Sequence, residues 1–361
     1  LAPQTAKKLE ALAQGAGLEA PPLRELPAAG YRHRARLAVR GRPSSPKIGL
    51  FQAGSHRIAD TPRCPIHHPA INAAAAEIRA AIREVGTAPY ADGPHRGALR
   101  YLQLCVERPT GRVQVVLVGN AETPDVLGDL PGAVERRLGQ QLQGLFFNGQ
   151  PERSNAILGP HWAHLAGEEA TREEIGGATV FFPPGAFGQG NLSLFDRAVE
   201  RIHGLVREGA VVAECHAGVG AIGLGLLARG FEVRFNERSV EGLAGLARGL
   251  EARPEPERAK ASFFAGAAGD RLDALVGAEV VIVDPPRRGL DAPLVHALAE
   301  DPPERLLYLS CGIDSLTRDV ATLTLSGALR VAGLEAYAFL PFTEHVETLV
   351  WLDRAEGEAG A

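Results

Sequence analysis

Ala210-Val211-Val212-Ala213-Glu214-Cys215-His216-Ala217-Gly218-Val219-Gly220-Ala221-Ile222-Gly223 decides the fold. A short apolar run enters a turn spelled G-x-G-x-x-G, and a helical pattern follows to about residue 229. Glycines let the backbone turn tightly and approach a ligand, while the start of the helix offers free N–H groups. About 20 residues later Glu237 closes the next strand-like stretch, where a carboxylate can accept hydrogen bonds from both ribose hydroxyls. This pattern suits NAD and S-adenosylmethionine equally, and a purely structural turn would be spelled the same way.

Downstream, strand-like stretches at 232–236, 262–265, 279–283 and 305–309 alternate with helical ones at 239–252, 292–299 and 315–325. Two last strands are expected at 334–340 and 347–353. Alternation of this kind predicts an α/β, doubly wound, mostly parallel sheet with ligands beyond the carboxyl ends of its strands. Two further motifs fall at such ends and favour a group-transfer site over a bare dinucleotide fold. In Val283-Asp284-Pro285-Pro286-Arg287 the tandem prolines can continue neither strand nor helix, so the Asp is held at the rim. In Leu309-Ser310-Cys311-Gly312 a cysteine stands where a nucleophile would.

Upstream the pattern is mixed α+β: a helix at 5–19, strands within 31–60, an Ala-rich helix at 72–85, and strands at 99–106 and 112–118. A helix at 133–143 and strands at 156–159 and 178–182 follow. We therefore expect an N-terminal and central α+β domain over residues 1–188 and a Rossmann-like domain over 189–361. One basic patch lies between Arg24 and Arg63. Within it Arg32, Arg34, Arg36 and Arg40 recur at even spacing, which puts them on one strand face as either a solvated surface or a phosphate-tracking one.

The 361 residues are 45% hydrophobic and 22% charged, an ordinary globular balance that excludes a disordered or fibrous chain. The net charge of −5 gives no general attraction to nucleic acid, so any RNA contact must be local. Cys64, Cys105, Cys215 and Cys311 are widely separated. That spacing fits a reducing cytoplasm better than a disulfide framework, and Cys64-Pro65-Ile66-His67-His68 alone is too short for a metal site. No secretory leader and no apolar run of membrane-spanning length is apparent, so a cytoplasmic location without membrane contact is expected. A chain that opens on Leu1 and has no Met reads as part of a longer product.

Taken in order, several motifs resemble the RNA uracil-5 methyltransferases, which make 5-methyluridine in ribosomal and transfer RNA. They are Tyr31-Arg32-His33-Arg34-Ala35-Arg36, Ser55-His56-Arg57-Ile58-Ala59-Asp60 with Cys64-Pro65-Ile66, and Ser154-Asn155-Ala156-Ile157-Leu158-Gly159. Phe187-Gly188-Gln189-Gly190-Asn191, Asp284-Pro285-Pro286-Arg287, Ser310-Cys311 and His345-Val346-Glu347 complete the set. The resemblance spans nearly the whole chain. It implies a class I S-adenosylmethionine-dependent methyltransferase domain, with Cys311 as nucleophile and Glu347 as general base. Gln189, Glu214, Gly218, Gly220, Glu237 and Asp284 would form the cofactor site, with Asp284 touching the target uracil as the other option. The arginines at 32, 34, 36 and 40 would contact RNA, 23S rRNA ahead of tRNA, and nothing demands more than a monomer.

This sequence departs from the family's pattern in places. No amino-terminal barrel is expected in this sequence, and Cys64 matches the last ligand of a four-cysteine iron–sulfur site without three preceding cysteines, so no cluster and no other metal is expected. Gly312 follows the nucleophile where Asn is usual, and the first loop reads Glu214-Cys215-His216 instead of an aromatic residue and Cys. Ala267 stands where an acidic residue often meets adenine. These departures keep open a degenerate methyltransferase that only binds RNA. An NAD-dependent oxidoreductase rests on the glycine turn alone.

Overall fold

The computed structural model describes residues 2–55 and 57–355. Leu1, and His56 of the second quoted motif, lie outside them. Contacts divide the chain into two units. The first holds the described residues up to Leu26, Glu174–Phe181 and those from Asn191 onward; the second holds Pro27–Glu173 and Phe182–Gly190. The reading of 1–188 as one domain thus differs at both ends. The helix Pro3–Gly15 buries Leu9, Leu12 and Ala13, and Leu12 and Ala13 pack with Val295, Leu298 and Val320 of the C-terminal unit. Leu23–Arg24 then adds a parallel edge strand to Leu329–Tyr337.

The C-terminal unit has an eight-stranded sheet. Its order is Leu23–Arg24, Leu329–Tyr337, Glu347–Arg354, Arg305–Ser310, Val280–Val283, Val211–Cys215, Glu232–Glu237, Ala261–Ala265. Every neighbouring pair is parallel except the two made by Glu347–Arg354, which are antiparallel. From Val211–Cys215 the chain winds outward through Glu232–Glu237 and Ala261–Ala265. It then returns to Val280–Val283 on the other side, and the crevice at that reversal is where such sheets hold ligands. Helices start where side chains satisfy their free N–H groups: Asn191 accepts from Leu194 N, Ser239 from Gly242 N and Asp291 from Leu294 N.

The other unit has a seven-stranded sheet ordered Ile58–Asp60, Ser45–Phe51, Arg34–Arg42, Leu99–Val106, Val113–Gly119, Leu142–Gly149, His161–Gly167. The helices Pro69–Val85 and Leu130–Leu138 cover one face through Ile71, Ile78, Ile82 and Val134, packed on Leu37, Leu102 and Leu117. The helix expected to reach residue 143 stops at Leu138, because Gly139 adopts φ +49°. The strand Leu142–Gly149 that follows is not legible in the sequence, because it is buried throughout and lacks an alternating signal. Residues 156–159 form bends rather than a strand, and the pairing edge is His161–Gly167, beyond Pro160. Among the described residues no helix is long and apolar enough to cross a membrane.

Leu12→Ala is expected to lower stability by about 2–4 kcal/mol, the range for a buried leucine. Denaturant unfolding of the full chain would show it. A loss under about 0.5 kcal/mol would mean the N-terminal helix is not part of that core.

Candidate active site

The glycine turn follows the strand Val211–Cys215. Gly218 and Gly220 have φ of +57° and +77°, and non-glycine His216 sits at +60°. A side chain on Gly220 would meet Leu246 Cδ1 at 2.5 Å, whereas the space over Gly218 is open. Glu237 ties the turn to the next strand. Its Oε2 accepts from Gly218 N at 2.7 Å, and its Oε1 accepts from Arg238 N and Ser239 N at 2.8 and 2.6 Å. Each carboxylate oxygen can accept more than one bond, so acceptor capacity remains for a ribose. Glu214 differs from its expected place among the cofactor contacts. It is buried beneath the turn and accepts from Gly223 N at 2.9 Å, and burial pushes its carboxyl group up to about 8. Its role here is to hold the start of the helix Gly223–Ala228.

The second cluster is set by strand register. Ser310 pairs with Thr348 in the antiparallel ladder, so Cys311, one step on, stands opposite Glu347, one step back. Opposed residues of such ladders lie about 4.5–5.5 Å apart at Cα. Val283 pairs with Tyr308, which brings Asp284 to the same rim, and Asp284 N donates to Cys215 O beside the glycine turn. Cys311 is half-buried, Glu347 is 8% exposed, and Glu347 Oε2 has no partner among the described residues.

These groups act on one another. Burial, then the negative charges of Glu347 and Asp284, push the Cys311 thiol up to about 11, while Arg287 pulls it down. Burial, then Asp284, push Glu347 up to about 8, again opposed by Arg287. Burial raises Asp284 to about 7. An acid-rich rim beside an open glycine cradle suits a ligand that carries a positive charge and a ribose, which describes S-adenosylmethionine better than an anionic dinucleotide. Gly312 also has a local reason. A Cβ there would lie 2.7 Å from the Arg287 carbonyl oxygen and 2.7 Å from Ser315 Oγ.

Residues 261–355 match the family model for tRNA (uracil-5-)-methyltransferase, a span that includes Asp284, Cys311 and Glu347. An uncharacterised RNA methyltransferase of Protochlamydia amoebophila is 35% identical over 333 residues, covering 90% of this chain and 86% of the relative. One from Parasynechococcus marenigrum is 31% identical over 354 residues, covering 93% and 73%. The chain belongs to the RNA uracil-5 methyltransferase family. It is accordingly an RNA methyltransferase of the S-adenosylmethionine-dependent α/β fold, with that compound as cofactor. The solved tRNA (uracil-54, C5)-methyltransferase of Pyrococcus abyssi, in complex with S-adenosyl-L-homocysteine, matches with a TM-score of 0.82. That match is 25% identical and covers 97% of this chain and 81% of that one.

The remaining expected site residues of this methyltransferase lie in the other unit. Gln189 is half-buried in the segment Phe182–Gly190. That segment is pinned by Arg34 Nη1, which donates to Ala186 O, and by Gln103 Nε2, which donates to Pro184 O, both at 2.6 Å. The arginine row does not form one solvated face. Arg32 and Arg34 are half-buried and donate to backbone carbonyls, and Arg36 is exposed. Arg40 corrects the expectation of a free phosphate contact: it is 7% exposed and bound bidentately by Asp92. Arg287 is the residue the sequence reading left without a role, although it ends the quoted D-P-P-R motif. Its charge is visible as functional only once Cys311 and Glu347 are beside it. Cys64 is half-buried, and among the described residues no three potential ligands converge on a metal-sized site.

Glu347 generates a stability prediction. Its folded value, about 8, lies above the unfolded carboxylate value of about 4.3. Its favourable contribution is therefore full below about pH 4 and lost as pH rises through 8. Glu347→Gln is expected to melt above the wild type at pH 9, by about 2–4 °C per kcal/mol recovered. The gap should close at pH 5. A Tm difference that did not vary with pH would contradict a protonated, buried Glu347.

Proposed function

We propose that this enzyme methylates carbon 5 of a uridine in RNA, through addition of Cys311 to carbon 6 and removal of the carbon-5 proton by Glu347. The observation that carries this reading is the ladder register that opposes a thiol and a carboxyl group at the rim of the cofactor turn. Carbon 5 of uracil is a weak nucleophile. A thiolate that bonds to carbon 6 pushes electrons through the ring to O4, leaving an enolate with carbon 5 nucleophilic. Bound S-adenosylmethionine supplies the electrophilic methyl group. Glu347 then takes the carbon-5 proton, the double bond re-forms, and the carbon 6–sulfur bond breaks to release Cys311. Gly218, Gly220 and Glu237 would hold the cofactor, Asp284 would face it or the target base, and Gln189 completes the set the family resemblance implies. Arg287 lowers both proton affinities and so keeps more thiolate and carboxylate at neutral pH.

The target must leave its stack to reach such a pair, and loops open more readily than duplexes. The sequence motifs favour 23S rRNA; the P. abyssi relative acts on tRNA. A monomer in the cytoplasm is the simplest setting for either. Mapping 5-methyluridine in total RNA from a strain lacking the gene decides between them, and an unchanged map would reject the uridine assignment.

Cys311→Ala is expected to abolish methyl transfer and also the covalent adduct with RNA carrying 5-fluorouracil, which has no removable proton at carbon 5. Full transfer by Cys311→Ala would refute the mechanism. Glu347→Gln should slow turnover by about 10²–10⁴-fold, the usual contribution of a general base. In the pH profile the rate should rise between pH 7 and 9 as Glu347 ionises. Arg287→Gln removes the positive charge that holds both groups down, so the rising limb should move to higher pH.

A further inference from the structure

On the sheet face away from its two helices, the Pro27–Glu173 unit contains a cavity of about 630 Å³. Volumes of about 300–1,000 Å³ are typical of ligand pockets. Its lining includes Arg36, Phe51, Tyr90, Arg100, Tyr101 and Arg153. Beneath it the Arg40 guanidinium lies 5.2 Å from the Phe51 ring, 5.0 Å from Tyr90 and 5.2 Å from Tyr101. Asp92, also in the lining, holds that guanidinium at 2.6 and 2.9 Å. Arg100 stacks 4.6 Å from Tyr90 and donates to the Gln150 and Glu152 carbonyls. Arg100 is 2% exposed, and its Nε is buried with no partner among the described residues.

The result is a rigid platform of rings and guanidinium planes, open to solvent at Leu50 and Phe51, which are 42% and 37% exposed. Arg36 and Arg153 line its more accessible side together with Ser154 and Asn155. Three arginines in the lining face a single carboxylate, Asp92, and that carboxylate already binds Arg40. Flat π surface with surplus positive charge is the chemistry that holds a single-stranded nucleotide: base on ring, phosphate on arginine.

We propose that this cavity seats a nucleotide of the RNA substrate other than the one methylated, its base against Phe51 and Tyr101 and its phosphate beside Arg36 and Arg153. The proposal rests on the RNA methyltransferase reading and names where that substrate is gripped outside the reactive pair.

The test uses the full chain, with tRNA and 23S rRNA purified from a strain lacking the gene. Phe51→Ala and Arg153→Gln should each weaken RNA binding by about tenfold, and Phe51→Trp should restore it. The loss should fall on KM for RNA more than on kcat, while the melting shift on adding S-adenosylmethionine is unchanged. RNA affinity within twofold of wild type in both variants would overturn the proposal, as would protection of the cavity by free AMP or UMP as effective as that by RNA. Wild-type methylation with silent variants sinks the cavity alone. Wild-type RNA binding without any methylation sinks the uridine reading, and the cavity is still judged by the variants' binding. No RNA binding by the wild type sinks both.

Discussion

The arrangement depends on one antiparallel pairing. Seven strands of the C-terminal sheet run parallel from Ala261–Ala265 across to Arg305–Ser310 and on to its far edge, and Glu347–Arg354 alone is inserted the other way. In a parallel strand the residues at the ligand rim come last. In the inverted strand they come first. That inversion lets a residue at a strand's start, Glu347, meet one just past a strand's end, Cys311, and both meet Asp284. A register slip of one residue would turn the Glu347 side chain to the opposite face.

Gathering acids in a half-buried rim has an electrostatic consequence. Asp284, Glu347 and Glu214 all sit above the usual carboxylate range, chiefly because burial disfavours their charged forms. Glu214 and Glu347 nevertheless serve different ends. Glu214 spends its acceptors on the backbone of the helix start, so its protonation is a matter of stability. Glu347 Oε2 has no partner among the described residues, which suits the proton acceptor proposed for it. Arg287 is exposed and close enough to moderate both Cys311 and Glu347. Burial thus favours the uncharged forms of Cys311 and Glu347, with Arg287 as a nearby cation that opposes it.

The basic strand of the other unit shows how little a row of arginines says by itself. Alternation sends Arg34, Arg36 and Arg40 to one face, but their surroundings divide them. Arg34 anchors the 182–190 segment, Arg40 becomes the buried centre of an aromatic cage, and Arg36 stays exposed at the cavity. Asp92, which neutralises Arg40, lies about fifty residues away and could not be paired with it by spacing.

Periodicity and punctuation in the sequence determined the alternating α/β unit, its glycine turn, and the rim positions of Asp284 and Cys311. These features are local, since a tight turn needs glycine and tandem proline ends a strand wherever it lies. The inverted last strand, the register that opposes Cys311 and Glu347, and the return of residues 3–24 to the C-terminal core were decided by tertiary structure. So were the burial of Arg40, the place of Glu214 beneath the turn, and the strand Leu142–Gly149. Each of these depends on which side chains meet across large sequence separations, and on how much water that meeting removes, and neither quantity is written in the spacing of residues along the chain.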